Sequence, residues 1–448
     1  MSWFRQICTL ISVLSSFLLL QCTFISSEKQ QNVAGFRGSM RQLEPRRYLA
    51  DGRYDLNARP MQGQSVFRAI WDVPNFCKDR YSIDIPLGAY GIEFNQNHEW
   101  RVGDVLNVFN HQSGCFPYVN RTTGIFMNGG LPQLGNITAH LEKMADDINR
   151  EIPDRQYNGL VMIDWEEWSP QWLGTEPRYR RFSMDSVRSK HPGWDNATIE
   201  AVAKLEWTQG AKLFMESTLK LFKQLRPESL WGYYRYPQCA VKFGRIPECQ
   251  PDQGKLNDQS LWLVDASSIL YPSIYLKPEK FADFAGAVGA KLEETFRVLT
   301  ESKYPDGAVM SYTRFNYSLT DYYFTLEDLN NTILTSAEFG THGVVLWGDN
   351  YDDKTSQSCQ ELRDYVIKAL GPTVVMAKEG AESCSRRVCS GRGRCVGEIL
   401  TCVKGDHGEK KKNIGEKIVF VLVDALLDGK DMIVVRVSWF LVKSENYL

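Results

Sequence analysis

The 448-residue chain lacks an excess of charge of either sign: 52 Lys and Arg stand against 54 Asp and Glu, a formal net charge of -2. That excludes a global basic field of the kind that draws in nucleic acid, so any polyanion bound here has to be met by local groups. No two cysteines are spaced as Cys-x-x-Cys and no His, Asp and Glu cluster has ligand spacing, so no metal and no cofactor is expected. Beyond residue 27 no apolar run approaches the roughly 20 residues that span a bilayer, and no transmembrane segment is expected. Even the run from Leu10 to Ile25 is broken by Ser12, Ser15, Ser16, Gln21 and Cys22. With Arg5 before it and Ser26 and Ser27 after it, residues 1–27 read as a cleaved signal peptide, which predicts a secreted, extracellular protein.

What is present fits export. Of the 11 cysteines, Cys8 and Cys22 leave with the signal peptide, and the remaining nine favour disulfides in an oxidising compartment. Nine is odd, so at least one thiol is left free or pairs between molecules. Five sequons, at Asn120, Asn136, Asn196, Asn316 and Asn330, predict surface glycosylation. Residues 28–62 are polar and without period, and read as a propeptide or loose arm with basic residues at Arg46 and Arg47.

From residue 63 to about 375 short apolar runs alternate with helical patterns. The strand candidates are Phe67–Val73, Val105–Phe109, Leu160–Glu166, Leu230–Tyr236, Leu270–Leu276, Ala308–Phe315 and Gly343–Gly348. Helices are expected over Ile137–Arg150, Thr198–Leu225, Phe281–Leu299, Leu326–Phe339 and Ser356–Leu370. Strand then helix, repeated, predicts an α/β fold with parallel strands joined by crossovers, and about seven of them fit a closed barrel better than an open sheet. After Pro372 the composition changes. Cys384, Cys389, Cys395 and Cys402 over residues 380–402 read as a small disulfide-rich module, followed over 403–448 by a charged stretch and two apolar, β-prone runs with no evident partner.

The strongest chemical signal is Gly159–Pro170, an apolar run that ends abruptly in Asp164, Trp165, Glu166, Glu167 and Trp168. Residues two apart on a strand share a face, so Asp164 and Glu166 project together while Trp165 turns away. Catalysis in parallel barrels sits where strands end. Two close carboxylates do not both ionise cheaply, so one should hold a proton at neutral pH, as a general acid for a glycosidic oxygen must. An ordinary strand end with solvated or Arg-paired acids is the plain alternative. Aromatics gather at the other strand ends, namely Trp231, Tyr233, Tyr234, Tyr236, Tyr271, Tyr275, Tyr312 and Trp347. Any one of them alone reads as core.

Taken in order, Ile163-Asp164-Trp165-Glu166, Trp231-Gly232-Tyr233-Tyr234, Tyr271-Pro272-Ser273-Ile274-Tyr275 and Gly343 to Gly348 resemble the hyaluronidases of glycoside hydrolase family 56. The resemblance runs from about residue 66 to 395, and Gly129 to Gln133 and Cys384 to Cys395 also fit it. It implies a distorted (β/α)7 barrel with an EGF-like C-terminal module. It also implies retaining, substrate-assisted hydrolysis of β-1,4 linkages in hyaluronan, with Glu166 as acid/base and Asp164 orienting the N-acetyl group. Tyr234, Tyr275 and Ser273 would contact the sugar and Trp347 would wall the acetamido pocket, with Tyr312 and Arg235 as further substrate-binding candidates. The implied disulfides are Cys77 with Cys359, Cys239 with Cys249 and Cys384 with Cys395, leaving Cys389 and Cys402 as further disulfide candidates. The expected partner is hyaluronan or a related glycosaminoglycan, met by a monomer. The family pattern is broken at Ser169, where an Arg is common, at Phe109, where a cleft tyrosine is usual, and at Gln238, Arg235 and the extra Cys115. Two alternatives stay open: a chondroitin-preferring hydrolase, and a catalytically weak glycosaminoglycan-binding protein of the same fold.

Overall fold

The short apolar runs become parallel strands in the computed structural model. It describes residues 65–96, 101–242, 247–277, 283–304, 307–348 except 319 and 321, 355–391, 393–396, 401–404, 416–428 and 432–443, from 396 onward as backbone only. The expected signal peptide and the arm over 28–62 lie outside the described residues. The strands are β1 (Arg68–Asp72), β2 (Ile92–Glu93), β3 (Leu106–Phe109), β4 (Leu160–Ile163), β5 (Leu230–Tyr233), β6 (Ile269–Leu270), β7 (Ala308–Arg314) and β8 (Gly343–Trp347). They pair in parallel in the orders β3-β4-β5 and β6-β7-β8-β1-β2. A parallel bridge between Tyr234 and Tyr271 joins β5 to β6.

Between β2 and β3 a side chain replaces the missing ladder. Asn95 Nδ2 donates to the Leu106 carbonyl at 2.7 Å, and Asn95 Oδ1 accepts from the Val105 and Leu106 amides at 2.9 and 3.0 Å. The amide passes so close to Gly103 that a Cβ there would lie 2.5 Å from it, so glycine alone fits.

Alternation along the strands gives the sheet two buried faces. Ile70, Leu106, Val108, Leu160, Met162, Met310 and Val345 meet Tyr234, Tyr271 and Tyr312 in one cluster. Phe109, Val161, Ile163 and Tyr233 point the opposite way, into helices Ile137–Glu151 and Asn196–Leu225. The longer helix buries Trp207, Phe214, Leu219 and Phe222 and starts on Asp195, whose carboxylate accepts from the Ala197 and Thr198 amides. Val344 and Leu346 pack with helices Ser356–Tyr365 and Gly371–Val388.

The structure departs from expectation in several places. Helix Pro177–Lys190 was not signalled, because only Tyr179, Ser183 and Val187 of its polar length are buried. Helix Gly371–Val388 runs through Pro372 to carry Cys384, and Val374 and Ala377 pack in the core. Pro372 follows the π-wound turn Val366–Leu370, so its missing N–H falls where the bonding pattern changes. Disulfides join Cys77 to Cys359, Cys239 to Cys249, and Cys384 to Cys395 in the hairpin Gly393–Val396/Thr401–Lys404. Cys389 is also disulfide-bonded, the Cys402 side chain lies outside the described residues, and Cys115 is free. Glu416–Asp428 and Met432–Lys443 pair with each other as an antiparallel hairpin.

Among the sequons, Asn136 and Asn196 are exposed and Asn120 and Asn330 half-buried. Asn316 is fully buried, its amide accepting from Arg314 Nε and donating to the Thr320 carbonyl. A glycan has no room there, which corrects the surface expectation at that position.

Candidate active site

The acid segment is placed by β4. The Asp164 amide donates to the Phe109 carbonyl at 2.7 Å, extending the ladder one residue past the strand. Asp164 keeps the facing of Leu160 and Met162 toward the tyrosine-lined side, whereas Trp165 is buried on the helix side. There it stacks on Phe116, with ring centroids 4.4 Å apart and planes 22° apart, and meets Trp168 edge-on. Trp168 donates its indole N–H to the Pro117 carbonyl at 2.6 Å. An aromatic wall therefore fixes the loop that presents Glu166.

Glu166 remains about half exposed, with Arg235 Nη1 3.6 Å from its Oε1. Burial lifts its carboxyl above the ordinary range, Arg235 pulls it down, and the Asp164 charge pushes it up again. Desolvation is thus the main cause, ahead of the carboxylate repulsion that the sequence suggested. Asp164 is raised for the same reason, opposed by Arg101, His111 and Arg235.

Beneath the pair lies an acid that the sequence analysis did not single out. Asp72, the last residue of β1, is fully buried and accepts a 2.7 Å hydrogen bond from the Tyr312 hydroxyl. Arg101 bridges the two acids, its Nε 3.8 Å from Asp72 and its Nη1 4.0 Å from Asp164. Asp72 ends an apolar strand just as Asp164 does, and that was the available signal. Burial pushes its carboxyl up to about 6, against Arg101 and the Tyr312 hydrogen bond. Its folded pKa lies above the ordinary aspartate value, so its protonated form favours the fold below about pH 4, and that contribution is lost as pH rises through about 6. Chemical denaturation should therefore show stability falling across this window by up to about 3 kcal/mol. Asp72→Asn should remove that slope; an unchanged slope would locate the effect elsewhere.

The other strand ends supply the polar wall. Tyr234 and Ser273 hydroxyls are 3.1 Å apart, Tyr275 lies nearly parallel to Trp347 at 11°, and the Arg314 guanidinium sits 4.4 Å over the Trp347 ring. Burial pushes the Tyr234 hydroxyl up to about 12 and Tyr275 well above its usual range, so both stay neutral donors. Arg235 adopts a left-handed backbone, φ 71°, with its amide donating to the Tyr271 carbonyl at 2.9 Å.

Some expected positions fall elsewhere. Tyr312 is buried with its hydroxyl committed to Asp72, so it supports the site from below rather than facing a ligand. Phe109 is fully buried edge-on against Phe222, on the helix side, and is not a cleft residue. Trp231, Tyr233 and Tyr236 pack among the helices, and Tyr271 is enclosed. Ser169 is buried, hydrogen-bonds Gln171, and offers its carbonyl to the Trp207 indole at 3.1 Å. Glu167 is met by Arg121 at 3.6 Å and Arg178 at 3.9 Å. These arginines, far from the acids in sequence, were not legible.

Paired acids where a parallel strand ends, both with raised proton affinity, beside neutral tyrosines and a tryptophan, define a glycoside hydrolase. Comparison with known proteins makes the class specific. The family model described as hyaluronidase matches residues 56–404. Hyaluronidase-1 of Mus musculus is 34% identical over 343 residues, covering 74% of this chain and 73% of its own. A hyaluronidase of Crotalus adamanteus is 35% identical over 351 residues, covering 75% and 78%. The crystal structure of bee venom hyaluronidase in complex with a hyaluronic acid tetramer superposes with a TM-score of 0.64 at 30% identity, covering 69% of this chain and 98% of that one. The chain belongs to the hyaluronidase family.

Proposed function

We propose that the protein is a secreted endo-β-N-acetylhexosaminidase that cleaves β-1,4 linkages of hyaluronan with retention, Glu166 supplying the proton. The observation that carries this reading is the half-exposed Glu166 presented two residues past Asp164 where β4 ends, facing the Tyr234, Ser273, Tyr275 and Trp347 wall of the neighbouring strand ends. Protonated Glu166 gives its proton to the glycosidic oxygen as the bond to the anomeric carbon breaks. The acetamido carbonyl oxygen of the same sugar attacks that carbon, forming an oxazolinium ring, with Asp164 orienting the amide. Glu166, now a carboxylate, takes a proton from water, whose oxygen opens the ring and restores the starting configuration. No enzyme carboxylate has to act as nucleophile, a recognised variant of the two-carboxylate scheme. Tyr234 and Tyr275 donate to the reacting sugar, Ser273 touches it, and Trp347 walls the acetamido group.

The same reading takes the parallel strands, linked through Asn95 and the Tyr234–Tyr271 bridge, as a closed, distorted (β/α)7 barrel over residues 63–375. Residues 380–402 form a partial EGF-like module, residues 403–448 an atypical tail, and residues 1–27 a signal peptide. Asn136 and Asn196, both exposed, and the half-buried Asn120 and Asn330 are the glycosylation sites.

Reducing-end release by the purified chain tests the assignment. Hyaluronan should be depolymerised faster than desulfated chondroitin. Cleavage of chondroitin alone would replace the substrate assignment, and tight binding without turnover of either polymer would favour a binding protein.

A further inference from the structure

We propose that Arg235 couples binding of a substrate carboxylate to protonation of Glu166: its guanidinium rests on the acid in the free enzyme and is drawn away by a uronate of the polymer. The proposal rests on Glu166 being the proton donor. A cation beside a group that must be protonated works against the reaction, because it favours the carboxylate. Yet the structure keeps Arg235 there at the expense of a left-handed backbone, φ 71°, a conformation disfavoured for a side-chain-bearing residue. The contact itself is loose. Nη1 is 3.6 Å from Oε1, and the two side chains are 45% and 47% exposed, so this is not the short bidentate fork that arginine makes with a carboxylate when free to do so. An incoming uronate offers that fork and reaches an exposed guanidinium.

The surroundings leave Arg235 as the exchangeable partner. Of the charges facing Glu166, Arg235 and Arg121 favour its ionised form, while Asp164 and Glu167 oppose it. Arg121 is 2.8 Å from Glu176 and 3.6 Å from Glu167. Arg101 lies between Asp72 and Asp164. Lys291, which feels the Arg235 charge, is lowered to about 8 by burial, with Lys277 and Arg235 adding to the effect. Its positive charge likewise makes an anion welcome at the guanidinium. The guanidinium stays charged throughout the working range, so substrate rather than pH governs the exchange.

The test reads two limbs of the pH profile. The alkaline limb of kcat/KM reports Glu166 in the free enzyme and that of kcat reports it in the complex. With hyaluronan the kcat limb should lie above the kcat/KM limb by about half a pH unit, the scale of a half-exposed ion pair. With carboxyl-reduced hyaluronan the two limbs should coincide. Arg235→Gly, which suits the left-handed backbone, should raise the kcat/KM limb and close the gap, while Arg235→Lys should keep it. An Arg235→Gly enzyme that turns over hyaluronan with an unmoved kcat/KM limb overturns the coupling and leaves the hydrolase reading intact. Absence of turnover by the unsubstituted enzyme overturns that reading and the coupling with it.

Discussion

Glu166→Gln should lower hyaluronan turnover by at least about 10³-fold, within the range that a positioned general acid contributes. The amide matches the carboxyl in size but has no proton to give to the leaving oxygen and cannot later accept one from water. Both halves of the reaction are therefore lost together. The fold should be spared. Glu166 is half exposed, its ion pair with Arg235 is loose at 3.6 Å, and such surface changes stay within about 0.5 kcal/mol. Polymer binding should also persist, because the tyrosines, Trp347 and Arg235 remain in place. Persistent turnover in a folded Glu166→Gln enzyme would show that another group is the acid.

The second large effect concerns the fold. Cys77 and Cys359, 282 residues apart, are both buried and tie the segment after β1 to helix Ser356–Tyr365. Cross-linking so distant a pair removes much of the unfolded chain's freedom, and the loss of such a bond costs about 3–5 kcal/mol. The Cys77→Ala/Cys359→Ala double variant should lose stability on that scale in denaturant titration. Removing the Cys239–Cys249 bridge, which spans 10 residues, should cost about half as much, because closure entropy grows with the logarithm of loop length. Equal losses would mean that native packing, rather than chain entropy, sets the contribution of each bridge.

Glu166 could be singled out from sequence because a strand of alternating facing ended in acids, a local pattern. The strands themselves were legible wherever four or more apolar residues ran together, as in Leu160–Ile163. Ile92–Glu93, at two residues, carries no such signal, and its link to Leu106 passes through the Asn95 side chain rather than the backbone. Helix Pro177–Lys190 was hidden by its arginines. The family resemblance put Phe109 where a cleft tyrosine is usual, but strand facing sends it to Phe222. Arg101 and Asp72 were missed because their meeting with Asp164 and Tyr312 is a product of tertiary packing. The cause of the Glu166 shift was equally unreadable: enclosure by the assembled walls outweighs the neighbouring charge, and burial is not written in a local motif.

The proton held on Glu166 is most directly tested by kcat/KM on hyaluronan as a function of pH. Activity requires the protonated acid, so the profile should fall on its alkaline side through a single ionisation above the ordinary glutamate range, and Glu166→Gln should abolish the activity in which that limb is seen. A profile that stays flat to about pH 9, well beyond the ordinary range of carboxyl groups, would contradict it.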